Sequence, residues 1–185
     1  MTLELGGIEV FQHPPKVLEA RHGNIPHVRL AVAQRVVHAA LDGVEAPFLG
    51  GSQRELSLLA GVDQTVTFTA QVVPISRGII STLYADLARP ADEAAILDIY
   101  RDFYPADGFV RVFPSAAAAS IGTMQVRGTN YTDIVVSVDA RNNRLRIVSI
   151  IDNLMKGQAG SALQNMNLLF GLPEKTGLDR IGIYP

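Results

Sequence analysis

The stretch IVVSVDARNNRLRIVSII, Ile134 to Ile151, decides the fold. Two apolar runs, Ile134-Val135-Val136 and Ile147-Val148, flank a polar turn at Asn142-Asn143. That is the chemistry of a β-hairpin, in which short polar residues take the turn and β-branched residues take the strands. Consecutive strands joined this way predict an α+β domain: a mixed, largely antiparallel sheet with helices on one face.

Downstream, the run LRIVSII (Leu145 to Ile151) passes through a polar corner into DNLMKGQAGSALQNMNLLFG, Asp152 to Gly171. Asp152 and Asn153 are N-cap residue types, able to accept hydrogen bonds from the first free amides of a helix. Gly157 and Gly160, beside Ala159 and Ala162, leave a flank open to close approach by another element or a ligand. Gln158, Ser161 and Asn165 recur on one side of the helix. Leu163, Met166 and Phe170 recur on another, so that side is expected to seek a core. Gly171 and Pro173 end the helix. A helix N-terminus with Lys156 beside it could hold an anion; a capped helix packing its glycines on the sheet explains the same residues.

Upstream, SQRELSLLAG has Ser52 and Glu55 at capping-box spacing and Gly61 as a stop, which predicts a short helix. TVTFTAQVVPI, Thr65 to Ile75, alternates Val66, Phe68, Ala70 and Val72 and predicts a strand broken at Pro74. RGIISTLYADL resumes strand character. ADEAAILDIYRDFY switches to helical period, with Ile96, Ile99, Tyr100 and Phe103 as its stripe and Asp92 and Glu93 in the first turn. FVRVF (Phe109 to Phe113) predicts a short strand, SAAAAS a connection, and VRGTNYTDI (126 to 134) a tight turn built on Gly128 and Asn130.

The 185-residue chain has room for one domain with a substantial core, or one domain plus an appendage. Its formal net charge of −2 and scattered basic residues exclude the electrostatic footprint of a nucleic-acid binder. No apolar run is long enough for a membrane helix, and the acidic N-terminus is unlike a secretion signal, so a cytoplasmic location is expected. Residues 1 to 51 form a separate segment, helical in part at VRLAVAQRVVHAAL or poorly ordered, and the main domain is expected over 52 to 185. That segment holds His13, His22, His27 and His38. Their spacing lacks the helical repeat and acidic partners of a metal site, so ordinary surface histidines are expected and no metal is assigned.

Nucleophilic catalysis is not visible. The chain has no cysteine, no serine in a G-x-S-x-G elbow, and no histidine after residue 38. It also lacks a G-x-G-x-x-G loop after a strand, the phosphate cradle of dinucleotide folds. Arg77 in PISRGI, next to Gly78, could clamp a carboxylate or phosphate, or be a surface arginine in a turn.

The runs DNLMKGQAGSALQNMNLLFGLPEKTGL, VRGTNYTDI, RDFYPADGFVRVFP and VTFTAQVVPISRGI together resemble the C-terminal domain of the N-acetyl-gamma-glutamyl-phosphate reductase family of arginine biosynthesis, over about residues 53 to 185. The resemblance implies a domain of the glyceraldehyde-3-phosphate dehydrogenase-like type, an oligomer joined through its sheet, and NADP as cofactor. In that family a Rossmann domain holds NADPH, a cysteine attacks the acyl phosphate, and hydride reduces the resulting thioester to the semialdehyde. By the same likeness, Arg77 and Gly78 are expected to face the substrate's anionic groups. Asn153, Lys156, Gly157 and Asn165 are expected to lie toward the cofactor.

Residues 1 to 51 are expected to carry no family resemblance, and the departures from the family's pattern are specific. Where the family carries an H-R-H-x-P-E segment with the catalytic base, this chain has EAPFLGGSQ, Glu45 to Gln53. The F-T-P-H element is Phe68-Thr69-Ala70-Gln71, and the cysteine of the G-S-N-x-C-D segment is Thr132. No residue is therefore assigned a catalytic role, and the chain by itself is expected to be inactive. Two readings follow: the reductase's substrate and oligomerisation domain, or a non-catalytic interaction module derived from it. A small-molecule sensor using Arg77 and Lys156 is a third.

Overall fold

The computed structural model describes residues 53–54, 57–58, 61, 63, 65–69 and 71–182. The expectations for residues 1–51, including the four histidines and the helix at 28–41, lie outside the described residues. So do Ser52 and Glu55 of the predicted capping box. Residues 53–54 and 57–58 are helical, and Gly61 takes the left-handed φ of 68° that suits a helix stop.

Among the described residues, four strands form one sheet: β1 (Ile79–Asp86), β2 (Val110–Pro114), β3 (Thr132–Asp139) and β4 (Arg144–Ile151). Their order is β1-β4-β3-β2. β1–β4 and β4–β3 are antiparallel and β2–β3 is parallel, so the predicted mixed, largely antiparallel sheet is present. The hairpin joins β3 to β4, and Asn143 holds the positive φ of 48° that its tight turn demands. Its amide side chain donates to Leu87 O at 2.6 Å, tying the turn to the end of β1.

Helix α1 (Glu93–Phe103) begins at Asp92, whose carboxylate accepts from Ala95 N at 2.8 Å. It packs on one face of the sheet, where Ile96, Leu97 and Tyr100 meet Ile134, Val136, Leu145 and Ile147. Leu97 joins this core while Phe103 is exposed, a small rotation of the stripe read from the sequence. A 3-10 turn (Ser115–Ser120) and the short helix α2 (Thr123–Val126) make the crossover between the parallel strands β2 and β3. After β4 comes a π-helical turn (Met155–Ala159) leading into α3 (Gly160–Leu169).

Two expectations are corrected. The segment 65–75 is not a strand: among its described residues none joins the sheet, and Val72, Val73 and Ile75 are exposed. Alternation gives a segment two faces but no ladder partner, and β1 is hydrogen-bonded to β4 only from Ile79 onward. Helix α3 is also rotated from the expected orientation: Leu163 is half-buried, while Gln158 and Asn165 of the polar side stay exposed. Met166 and Phe170 are exposed, whereas the polar Asn167 is 1% exposed and buried with Gly160. The reason is that the amide of Asn167 donates to Glu174 O and Thr176 O, at 3.1 and 2.9 Å. Those bonds draw Asn167 inward to hold the following loop.

Candidate functional site

The antiparallel register explains how the site is assembled. Ile79, the first residue of β1, pairs with Ile151, the last of β4. The residues just before one strand therefore lie beside those just after the other. Arg77 and Gly78 meet Asp152 and Asn153 across 75 positions of sequence.

Asp152 is the centre of this corner. Its buried carboxylate accepts Arg77 Nη2 at 2.7 and 2.6 Å, on Oδ1 and Oδ2. Oδ2 also accepts from Gly128 N at 2.7 Å, and Oδ1 from Leu154 N and Met155 N at 2.8 and 2.9 Å. One side chain thus ties together the start of β1, the turn before β3 and the exit from β4. Burial alone would raise its pKa, but the guanidinium of Arg77 and the amides of Gly128, Met155 and Leu154 outweigh it and hold the carboxyl below the ordinary range.

Gly78 occupies a position that only glycine fits. Its φ is 105°, a Cβ there would collide with the side chain of Thr123, and its N–H donates to Asn153 Oδ1 at 2.8 Å. Gly160 is similarly confined: a Cβ would meet Asn130 Oδ1 and Met155 O. The element that closes on the small-residue flank is therefore the side chain of Asn130.

Lys156 points inward and is 6% exposed. Its Nζ donates to Gln164 Oε1 at 2.7 Å and lies 5.7 Å from the centre of the Phe109 ring. Asn130 Nδ2 donates to the same Gln164 oxygen at 2.9 Å, and Gln164 Nε2 reaches Glu174. Burial pulls the Lys156 pKa down to about 8, with the charge of Glu174 opposing the shift. The lysine is thus poised to lose its proton well below the usual range for an ammonium group.

Arg77, Gly78 and Asn153 are in one contact network, and the backbone of Gly157 joins it by donating to Asp152 O at 2.9 Å. The side chain of Lys156 leaves that network for Gln164, and Asn165 is exposed on α3. Sequence reading missed Asp152 as an ion-pair partner, seeing it only as a cap. It also missed Asn130, Gln164 and Glu174 as the lining around Lys156. The only signal in the sequence was a pair of opposite charges at the ends of two candidate strands, and that becomes meaningful once their register is known. Among the described residues no cluster of acidic or histidine side chains could hold a metal ion.

The sheet order and the strand-end corner define a class of protein. Residues 52–153 match the family model "Semialdehyde dehydrogenase, dimerisation domain", and the chain belongs to that family. Among curated proteins it is similar to N-acetyl-gamma-glutamyl-phosphate reductases. The one from Geotalea daltonii is 43% identical over 176 residues, covering 91% of this chain and 50% of the relative. The one from Pelotomaculum thermopropionicum is 49% identical over 133 residues, covering 72% of this chain and 38% of the relative. The chain thus spans half or less of the length of these relatives, and the longer match reaches past residues 52–185 toward the N-terminus. Among solved structures, aspartate semialdehyde dehydrogenase II from Vibrio cholerae shares the fold, with a TM-score of 0.54 and 18% identity over 70% of this chain and 38% of that one. The family expected from the sequence motifs and the expected fold class are both borne out.

Proposed function

We propose that this chain is the carboxyl-terminal half of an N-acetyl-gamma-glutamyl-phosphate reductase, the enzyme that uses NADPH to reduce the acyl phosphate to N-acetylglutamate semialdehyde. The observation that carries this reading is the 40–49% identity to such reductases across most of the chain. The family model's own description supports assembly into an oligomer, and we place its contact on the sheet, where Ile80 and Tyr84 stand exposed on β1. A biosynthetic role in the cytoplasm accompanies this reading. Among the described residues, no helix is long and apolar enough to cross a membrane.

Within it, Arg77 and Gly78 face the substrate's anionic groups, and Asp152 is what holds Arg77 in place. Asn153, Lys156, Gly157 and Asn165 lie on the cofactor side. They border a nicotinamide site rather than enclose it. Asn153 Oδ1 is engaged by Gly78 N, Lys156 is turned onto Gln164, and Asn165 stands apart on the exposed side of α3. The group that supplies hydride would therefore be held by the half of the enzyme that this chain does not match. The division at residues 1–51 and 52–185 is supported by the family model's start at residue 52; the Geotalea match carries likeness beyond it.

The chain alone is inactive in this reading. It has no cysteine to form the thioester, and EAPFLGGSQ stands where relatives carry their histidine base. Purified chain with NADPH and the acyl phosphate is expected to yield no semialdehyde, and turnover by this chain alone would contradict the reading. Adding the amino-terminal half of the Geotalea relative, and restoring H-R-H-x-P-E in place of Glu45–Gln53, is expected to produce semialdehyde. Failure of that completed assembly would argue for the second reading, a non-catalytic oligomerisation module.

A further inference from the structure

An ammonium group taken out of water loses hydration that neighbouring dipoles must replace. Around Lys156 that replacement is thin. Its Nζ donates to Gln164 Oε1 at 2.7 Å, an oxygen that Asn130 Nδ2 also uses, and it lies 5.7 Å from the centre of the Phe109 ring. Lys175 Nζ, from the loop after α3, approaches the same ring at 5.7 Å, so the loop lies over the ring that the buried lysine faces. Residues 172–176 of this loop are exposed except for half-buried Lys175, and apolar burial therefore contributes little to holding them down. Polar bonds do so instead. Gln164 Nε2 donates to the Glu174 carboxylate, and Asn167 Nδ2 donates to Glu174 O and Thr176 O at 3.1 and 2.9 Å. Gly171 and Gly177 bound the loop, both in the left-handed region with φ of 67° and 74°. Glycines there absorb backbone rotation at little cost.

We propose that residues 172–176 are a proton-linked strap: hinged at Gly171 and Gly177, it lifts to let water reach Lys156 and settles again when that lysine gives up a proton to solvent. The direction follows from the groups that face the amine. Gln164 on α3, Asn130 in the turn before β3 and Phe109 ahead of β2 are all neutral, and the strap itself brings Glu174 and Lys175, of opposite sign. The pull of Glu174 offsets desolvation only in part, so with the strap down the amine holds its proton to about pH 8. With the strap lifted and the amine hydrated, the ordinary value of 10.5 returns. The lifted state thus binds the proton more tightly. Closure therefore strengthens as pH rises between those two values and is indifferent to pH well below them. This behaviour belongs to the chain itself and stands apart from the reductase reading.

Trypsin reads the strap directly, because it cleaves after Lys175 and needs that segment lifted from the surface. When opening is fast relative to cleavage, the rate follows the population of the open form. Cleavage of the Lys175–Thr176 bond in the purified full chain is followed by mass spectrometry and divided by the rate for a free peptide of residues 171–180 at each pH. The normalised rate is expected to fall about tenfold between roughly pH 8 and pH 9.5. Lys156→Met keeps an unbranched chain against Phe109 and should make the rate independent of pH. Glu174→Gln removes the attraction that keeps the amine charged, so its fall should begin at lower pH. Circular dichroism establishes that each variant is folded. Should Lys156→Met fail to fold, Glu174→Gln still decides, since a fall whose position ignores Glu174 contradicts the linkage. A parent rate that is flat or rises with pH overturns the proposal, as does a fall that persists unchanged in Lys156→Met. Cleavage after Arg146, inside β4, requires the sheet itself to open; if it keeps pace with cleavage after Lys175, the strap does not move on its own and the proposal fails.

Discussion

The two ends of the sheet are held together by different physics. Beneath α1, Ile134, Val136, Leu145 and Ile147 pack with Ile96, Leu97 and Tyr100, and the force is burial of apolar surface. At the other end, Asp152 gathers a guanidinium and three backbone amides, and Lys156 and Asn130 share the oxygen of Gln164. Burial has no preferred direction and tolerates exchange of one aliphatic group for another. The polar corner depends on each partner being in place, because a buried charge left alone cannot recover its lost hydration.

The sharpest way to break this contrast is Asp152→Ala. It leaves Arg77 unpaired and frees the amides of Gly128, Leu154 and Met155, and is expected to cost about 3–5 kcal/mol in chemical denaturation. The same carboxylate sets an acid limit. Its lowered pKa gives stability that is present above the ordinary value of 3.8 and lost as pH falls through its folded-state value. Acid unfolding of Asp152→Asn that matches the parent would contradict this role.

At the apolar end, Leu145→Ala should cost roughly 2–5 kcal/mol, with Leu145→Met far milder because volume is kept. Equal damage from both would mean that directional contacts matter there too. Gly78→Ala should cost on the order of 1–3 kcal/mol from left-handed strain, plus whatever the contact with Thr123 adds.

A pH scan sharpens the comparison further. Lys156 holds its proton to about pH 8 when folded but to the ordinary 10.5 when unfolded. The unfolded chain binds more protons between those values, so stability should rise as pH climbs through that window. Lys156→Met should remove the rise. Tyr100 and Tyr104 act oppositely, since burial raises both above 10.0. Above pH 10 the unfolded tyrosines ionise first, and stability should fall. The smallest effect is expected at Arg144–Asp86, an exposed pair at 2.9 Å across β4 and β1. Asp86→Ala should change stability by no more than about 1 kcal/mol and less still at high salt.

Much of the apolar end is legible in the sequence. The hairpin turn at Asn142-Asn143, the strands around it, the acidic start of the helix at Asp92 and Glu93 and the stripe Ile96–Tyr100 are consequences of local period and local turn chemistry. The polar corner was legible only in outline. Asp152 reads as a helix cap; in the structure it accepts from Leu154 N and Met155 N just ahead of the helical turn without being its N-cap, and its ion pair with Arg77 is not visible in the sequence. Lys156 looked like a charge beside a helix end and proved to be a buried one. Residues 65–75 carry the composition of a strand without a place in the described sheet, and α3 carries an apolar stripe that faces out.

The sequence by itself determined the α+β class, the hairpin and the main helix. Its motifs also marked the family likeness to reductases. Period, capping and turn preference act within a few residues, so they can be read along the chain. Only the tertiary structure decided that Arg77 meets Asp152, that Asn130 closes on Gly160, and that Asn167 rather than Phe170 turns inward. Those outcomes depend on strand register and on which buried polar groups must find partners. Register joins residues 75 positions apart, a distance over which local preferences carry no information.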